Sequence, residues 1–358
     1  MSADALHGRA PEPLPWLAGP LTRALSAARA EAGGRAHHAL LVHGSPGTGE
    51  LEMAMALAAA WLCEAPGPDG TACGRCTGCR LVHERAHPDL RLLVPDARRE
   101  AAGLPPEASP RAAPAAGSQA GMEIRVDAVR EAIAFSALTP SRAREKVMVI
   151  WPADALGVVA ANALLKTLEE PPGPMRFVLA TARPAVLLPT LRSRCQAVAL
   201  ELPGRAQALA WLQGQGVQDA GEVLDACGGE PLTARDLALR EGLVAAVWRA
   251  LPGQVEQGRA DEFAGWPLPR LIDALQRLCH DRLMAHLGLP PRYFTGQPPA
   301  PAPAQAVAEA TRWLRGHARH ARHPWQAALA VQALVQGTRA RLAASPTPIH
   351  PPTESRRS

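Results

Sequence analysis

Ala39-Leu40-Leu41-Val42-His43 runs directly into Gly44-Ser45-Pro46-Gly47-Thr48-Gly49-Glu50-Leu51, and this stretch decides the fold. The apolar run reads as a buried strand. Leu51 to Leu62, rich in Leu, Met and Ala, reads as the helix that leaves the turn. Gly44 and Gly49 with four residues between them have the frame of a phosphate-binding loop. A working loop continues with Lys, which reaches the outer phosphates, and then Ser or Thr, whose hydroxyl holds Mg²⁺. Here those positions are Glu50 and Leu51. Glu50 sets a negative charge against a triphosphate, and Leu51 offers a metal nothing. Gly44, Gly47, Thr48, Gly49 and Glu50 therefore make a degenerate loop at which nucleotide binding is not expected.

Outward from the loop, strand-like runs recur at Asp89–Val94, Lys146–Ile150, Arg176–Ala180 and Gln196–Leu200. Helical stretches such as Val126–Phe135 and Gly157–Glu170 alternate with them. That alternation predicts an α/β core, a parallel sheet with helices on both faces, over residues 1–204. Arg98 to Gly121 breaks the pattern with Pro105, Pro106, Pro110 and Pro114, and reads as a poorly ordered surface insertion. After Leu202-Pro203-Gly204 the strands stop. Residues 205–240 read as a small helical lid interrupted at Gly228-Gly229, and 241–344 as an all-α domain with breaks at Trp266–Pro269 and Gln297–Pro303. Residues 345–358 read as a loose tail.

In P-loop ATPases a second strand ends in acidic residues that hold Mg²⁺ and orient the attacking water. The strand Lys146–Ile150 instead runs into Trp151-Pro152-Ala153-Asp154. Asp154 comes too late for that role and is expected to cap the helix that follows.

Cys63, Cys73, Cys76 and Cys79 form C-x9-C-x2-C-x2-C. Each two-residue spacer can turn two thiolates toward one ion, and Gly74 and Gly78 supply the backbone freedom. Four thiolates fit tetrahedral Zn²⁺ and leave no position for substrate water, so the site is expected to be structural. Disulfides are not expected in the cytosol. Cys195, Cys227 and Cys279 stand in apolar context and read as packed core thiols.

The chain has 358 residues, 47% hydrophobic and 20% charged, which suits a soluble protein of two or three domains. No apolar run approaches the ~18 residues of a membrane span, and no signal-peptide core is present, so a cytoplasmic location without membrane contact is expected. A net charge of +5 permits nucleic-acid contact without demanding it.

Four motifs stand in one order: the damaged loop, the cysteine module after its helix, Asn162-Ala163-Leu164-Leu165-Lys166-Thr167-Leu168-Glu169-Glu170-Pro171-Pro172, and Leu191-Arg192-Ser193-Arg194-Cys195. Together they resemble the bacterial clamp-loader subunits of the AAA+ superfamily over about residues 15 to 240, and the degenerate loop resembles that of the family's non-hydrolysing member. The resemblance implies an AAA+ core with a lid and a C-terminal collar domain, in a hetero-pentamer with delta and gamma or tau subunits. That ring opens the sliding clamp (beta) and places it on primed DNA, without sequence preference. ATP would be used only in neighbouring subunits. The Ser-Arg-Cys motif then makes Arg194, flanked by Ser193 and Cys195, an arginine finger that enters the neighbour's ATP site. Read without the motif, Arg194 is an ordinary surface salt-bridge residue. Thr181 falls where active relatives carry a polar sensor, and Leu232 falls where they carry a second sensor arginine. Lys166, Glu169 and Glu170 fall at a subunit interface.

Two alternatives stay open on sequence. One is an active gamma- or tau-like ATPase, opposed by Glu50, Trp151, Pro152 and Leu232. The other is a zinc-bearing interaction module with a dead AAA+ core outside replication.

Overall fold

The computed structural model describes residues 14–29, 37–105, 121–142, 145–321 and 326–343. The chain divides into two compact units, residues 1–207 and 208–358.

The first unit is built on five parallel strands: β1 (Ala39–His43), β2 (Leu90–Leu93), β3 (Lys146–Ile150), β4 (Met175–Thr181) and β5 (Gln196–Ala199), in the order β2-β3-β4-β1-β5. Every residue of β3, and all but Arg176 of β4, is buried, the continuous apolar reading expected of a sheet covered on both sides. Leu41, Met148, Ile150, Phe177 and Leu179 pack on one face against α4 (Val126–Ser136) and α5 (Val158–Glu169). The alternate residues Leu40, Val42, Val147, Val149 and Val178 face the other way, where α2 (Glu50–Trp61) lies against β1, β3 and β4. α1 (Ala18–Arg29) and α3 (Thr77–His83) complete the unit with a four-residue helix, α6 (Pro189–Arg192). The expected α/β architecture is present, and each expected strand is found within one or two residues of its predicted ends.

One polar pair sits inside this unit. Asp89, fully buried just before β2, accepts backbone N–H bonds from Ser141 (2.7 Å) and Arg142 (2.8 Å). Its Oδ1 lies 3.7 Å from Lys146 Nζ, which is itself buried and centred 4.0 Å over the Phe135 ring. The carboxylate thus fixes the loop after α4 to the sheet edge while neutralising the lysine at the start of β3.

The opening of the predicted loose insertion is ordered. Ala102 is buried, and Arg85 Nε donates to its carbonyl at 3.0 Å. Residues 106–120 of that insertion and the predicted tail lie outside the described residues.

The second unit is helical. α7 (Arg205–Gly214), which begins in the first unit, leads to α8 (Ala220–Ala226) and α9 (Pro231–Leu239), and these share one small core around Leu212, Val223, Leu224 and Ala234. Gly228 and Gly229 both take positive φ and form the predicted break between α8 and α9. α10 (Ala245–Gln257), α11 (Leu268–His286), α12 (Ala304–Ala318) and α13 (Ala327–Ala343) enclose a larger core built on Trp248, Leu251, Leu275, Leu278, Leu314 and Leu334. Buried Asp281 on α11 accepts the backbone N–H groups of Arg292, Tyr293 and Phe294 at 2.8–3.0 Å. That clamp holds Phe294 stacked on Trp248 with ring centroids 4.7 Å apart. No described helix is long and apolar enough to cross a membrane.

Candidate functional site

The loop after β1 keeps the backbone of a phosphate cradle. Gly47 and Gly49 take φ of 71° and 108°. A Cβ on Gly49 would come within 2.9 Å of Leu14 Cδ1, and one on Gly44 within 2.9 Å of the Leu200 carbonyl. Only glycine fits such close approaches. Thr48 is fully buried, with its hydroxyl on the Ser45 carbonyl, and its own carbonyl accepts Trp16 Nε1–H at 2.7 Å. The two diagnostic positions have gone the other way. Glu50 opens α2 and is 7% exposed; Leu51 follows at 6%. Glu50 and Glu52 place two acidic residues in the first turn of α2. A helix N-terminus favours negative charge, and here the chain supplies that charge itself, where a functional loop would offer a lysine to phosphate.

The sheet gathers the neighbouring positions at the same end. Thr181 closes β4 in register with His43, the residue just before Gly44. β3 ends two strands away from β1 and leads into Trp151 and Pro152. In an open parallel sheet, ligands sit beyond the carboxyl ends of the strands, so these are the positions beside which a ligand of this sheet would lie.

Asp154 does not cap the following helix, contrary to the sequence expectation. It lies in a 3-10 turn (Ala153–Ala155), and the N-cap of α5 is Gly157, which makes no side-chain cap. The Asp154 side chain is 3% exposed and accepts from the Thr181 hydroxyl and the Arg183 guanidinium, while Arg183 N–H donates to Thr181 Oγ1 at 2.9 Å. The polar residues beside the loop are thus engaged with one another. No spacing rule could have shown this, because Asp154 and Thr181 come together only through the β3–β4 pairing.

Arg194 occupies the opposite end of the sheet. It follows α6 and precedes β5, whose first residue, Gln196, pairs with Leu40, whereas the phosphate loop follows His43, the partner of Ala199. Four strand residues at about 3.3 Å each separate the two ends by about 13 Å. Arg194 Nη1 donates to the Thr190 carbonyl at 2.8 Å, and Ser193 Oγ donates to the same carbonyl at 3.1 Å. Arg194 Nε and Nη2 both reach Glu169 Oε1 at the end of α5. The two side chains are 33% and 45% exposed, so the pair lies at the surface. Cys195 packs inward against the core, and burial pushes its thiol up to about 12. A half-buried Cys195 and a bonded Ser193 on either side fix where Arg194 leaves the backbone. The Glu169–Arg194 pair joins the two signature motifs across 25 residues, a contact not legible from either motif alone.

The four cysteines converge. Their Sγ atoms all lie within 4.8 Å of one another, with Cys63–Cys76 at 3.8 Å and Cys73–Cys79 at 4.0 Å. A tetrahedral ion with bonds of about 2.3 Å needs sulfurs about 3.8 Å apart, so the donor set fits Zn²⁺. Backbone N–H groups support the knuckles: Cys73 N to Cys63 Sγ (3.3 Å), Cys76 N to Cys73 Sγ (3.4 Å) and Cys79 N to Cys76 Sγ (3.3 Å). The Cys73 thiol is drawn down to about 6, chiefly by the backbone N–H of Arg75, so the thiolate that a metal needs is favoured there. Gly74 turns at φ 70°, and a Cβ on Gly78 would strike the Leu62 carbonyl at 2.6 Å. Arg142 ties this module to the loop held by Asp89, through Glu64 at 2.8 Å. Cys227 and Cys279 are buried away from the cluster, their thiols pushed up to about 12 and about 11 by burial.

Comparison with known proteins agrees with the motifs. A family model described as DNA polymerase III, delta subunit, matches residues 23–203. The chain is 36% identical over 254 residues to DNA polymerase III subunit delta' of Pseudomonas aeruginosa, covering 67% of this chain and 70% of that one. It is 33% identical over 282 residues to the subunit delta' of Escherichia coli (74% and 76%). It is also 34% identical over 162 residues to subunit tau of Salmonella typhimurium, covering 45% of this chain and 21% of that one. Among solved structures, a gamma subunit-related protein from Thermotoga maritima aligns with a TM-score of 0.42 at 16% identity, covering 90% of this chain and 98% of the other.

Proposed function

Because the chain belongs to the DNA polymerase III delta' family, we propose that it is the non-hydrolysing member of a clamp loader and lends Arg194 to the ATP site of a neighbouring gamma or tau subunit. The observation that carries this reading is the position of Arg194. The arginine and the chain's own phosphate loop lie at opposite ends of one parallel sheet, so any phosphate that Arg194 meets belongs to another molecule. At that site the guanidinium would place a permanent positive charge beside the γ-phosphate as charge shifts during transfer. Buried Glu50 and Leu51 support the companion claim that this chain turns over no ATP itself.

In this reading residues 1–204 are the AAA+ core, 205–240 the lid and 241–344 the collar. The partners are delta, gamma or tau, the sliding clamp and primed DNA, in the cytoplasmic replisome. Cys63, Cys73, Cys76 and Cys79 hold a structural Zn²⁺, which would lock α3 to the end of α2 and leave no coordination position open. The isolated chain is expected to show no ATP hydrolysis, while adding it to delta, gamma or tau, clamp and primed DNA stimulates turnover. Hydrolysis by the chain alone would replace this reading with that of an active motor. A pull-down that recovers neither delta nor gamma or tau would replace it with the interaction-module reading.

Zinc is tested separately. Protein prepared without chelator should carry one equivalent by elemental analysis, and Cys76→Ser should lower both zinc content and melting temperature. Metal-free wild-type protein that melts unchanged on chelator treatment would refute the assignment.

A further inference from the structure

We propose that the exposed face of α12 is a binding surface for nucleic-acid phosphates, separate from the arginine-finger site. The first observation is charge segregation. From Ala310 to Thr353 the sequence holds no acidic residue, although 33 of 358 residues are acidic and about four would be expected over such a stretch. Residues 310–358 carry eight arginines against Glu354 alone, while the rest of the chain has 30 basic and 32 acidic residues. All the net positive charge of the protein therefore lies in its last seventh. A general bias toward arginine in composition would raise it everywhere and does not explain this.

The second observation is geometry. Ala306, Val307, Ala310 and Leu314 form the buried stripe of α12. Arg312, Arg315 and Arg319, at the end of the same helix, are all exposed and lie on the opposite side, following the i, i+3, i+7 spacing. None of the three meets a carboxylate among the described residues. The nearest acidic residue in sequence, Glu309, bonds Gln305 at 3.5 Å. Ala308, Gly316 and Ala318 flank the arginines, small and exposed, so nothing bulky stands between the guanidinium groups and an approaching surface.

The helix is also held rigidly against its neighbour. Trp313 lies on α13 at Gly337, where a Cβ would come within 2.3 Å of the indole, and Arg341 covers the ring at 4.3 Å.

The chemistry favours a phosphate backbone over an acidic peptide. Residues 312 to 319 span about 10 Å at 1.5 Å per residue. One nucleic-acid strand presents a phosphate about every 3.4 Å of axis, so the row matches about three phosphates. A peptide ligand needs apolar pockets for anchoring side chains, and the strip between the three arginines offers only alanine and glycine, with polar Gln305 and Glu309 in the preceding turns. Guanidinium groups that meet only phosphate give binding without sequence preference.

The test uses the full chain, a short fluorescein-labelled duplex and anisotropy over a range of salt. A triple variant, Arg312→Ala with Arg315→Ala and Arg319→Ala, is expected to bind at least about tenfold more weakly, with the log–log salt slope flatter by about 2–3. The corresponding triple Lys variant should retain binding, and thermal melting should not change. Arg194→Ala should bind the duplex like wild type, which keeps failure here distinguishable from failure of the finger reading. Equal affinity and slope in wild type and triple Ala variant would overturn the proposal. Tighter binding of labelled polyglutamate than of duplex would also overturn it, in favour of an acidic protein partner.

Discussion

Replacing Arg194 with Ala in the reconstituted clamp-loader assembly is expected to slow hydrolysis at the one site it serves by about 10³-fold or more, the usual worth of an arginine finger. Sites that take their arginine from another subunit should keep their rates. The discriminating measurement is therefore pre-steady-state phosphate release, in which the burst should lose one site's worth of product while the remaining sites fire. Arg194→Lys keeps a charge but not the planar fork, and should recover only part of the loss. Glu169→Gln removes the carboxylate that holds the guanidinium in the free chain without removing the guanidinium itself. That variant should keep the burst. An unchanged burst with Arg194→Ala would reduce the arginine to an ordinary surface ion pair, which exposure of both side chains by a third or more makes worth at most about 1 kcal/mol.

The largest expected effect on stability lies at Asp89. Asp89→Ala should destabilise the first unit by about 3–5 kcal/mol, because it strands a buried lysine and two backbone N–H groups together. For a unit of this size that corresponds to a fall of about 10 °C in melting temperature. The mechanism predicts an asymmetry. Lys146→Met in the wild-type background should cost less than Asp89→Ala, since Asp89 keeps its two N–H donors and methionine fills the space over Phe135. The double variant should melt above Asp89→Ala alone, as the unpaired buried charge is gone. Melting of Asp89→Ala within a degree or two of wild type would show that Lys146 finds water or another partner, and the pair would lose its structural role.

Much of this protein is written locally. The central strands β1, β3 and β4 are largely apolar runs bounded by turn residues, and burial on both faces of a parallel sheet removes the need for polar alternation, so short hydrophobic runs sufficed to find them. Gly44 and Gly49 declare the loop by the close approaches a Cβ would spoil, and Gly47 by its positive φ. Cys73, Cys76 and Cys79 declare their convergence because two-residue spacers constrain a knuckle whatever the rest of the chain does, and Cys63, set off by a nine-residue spacer, joins them in the fold. Glu50, Leu51, Trp151 and Pro152 show by identity alone that the usual phosphate-loop lysine and hydroxyl and the strand-end carboxylates are absent.

Other features waited for the tertiary structure. Asp154 reads locally as a helix cap, and only the pairing of β3 with β4 brings it to Thr181 and Arg183 instead. Glu169 finds Arg194, and Asp89 finds Lys146, across 25 and 57 residues of sequence that carry no spacing signal. Above all, the sequence names Arg194 as a motif residue but does not say where it lies relative to the chain's own phosphate loop. That was decided by parallel pairing of β5 with β1, which sets the loop at the end of one strand and the arginine before the start of the other. Residue identity fixes what a side chain can do; the direction and register of the strands fix where it can do it.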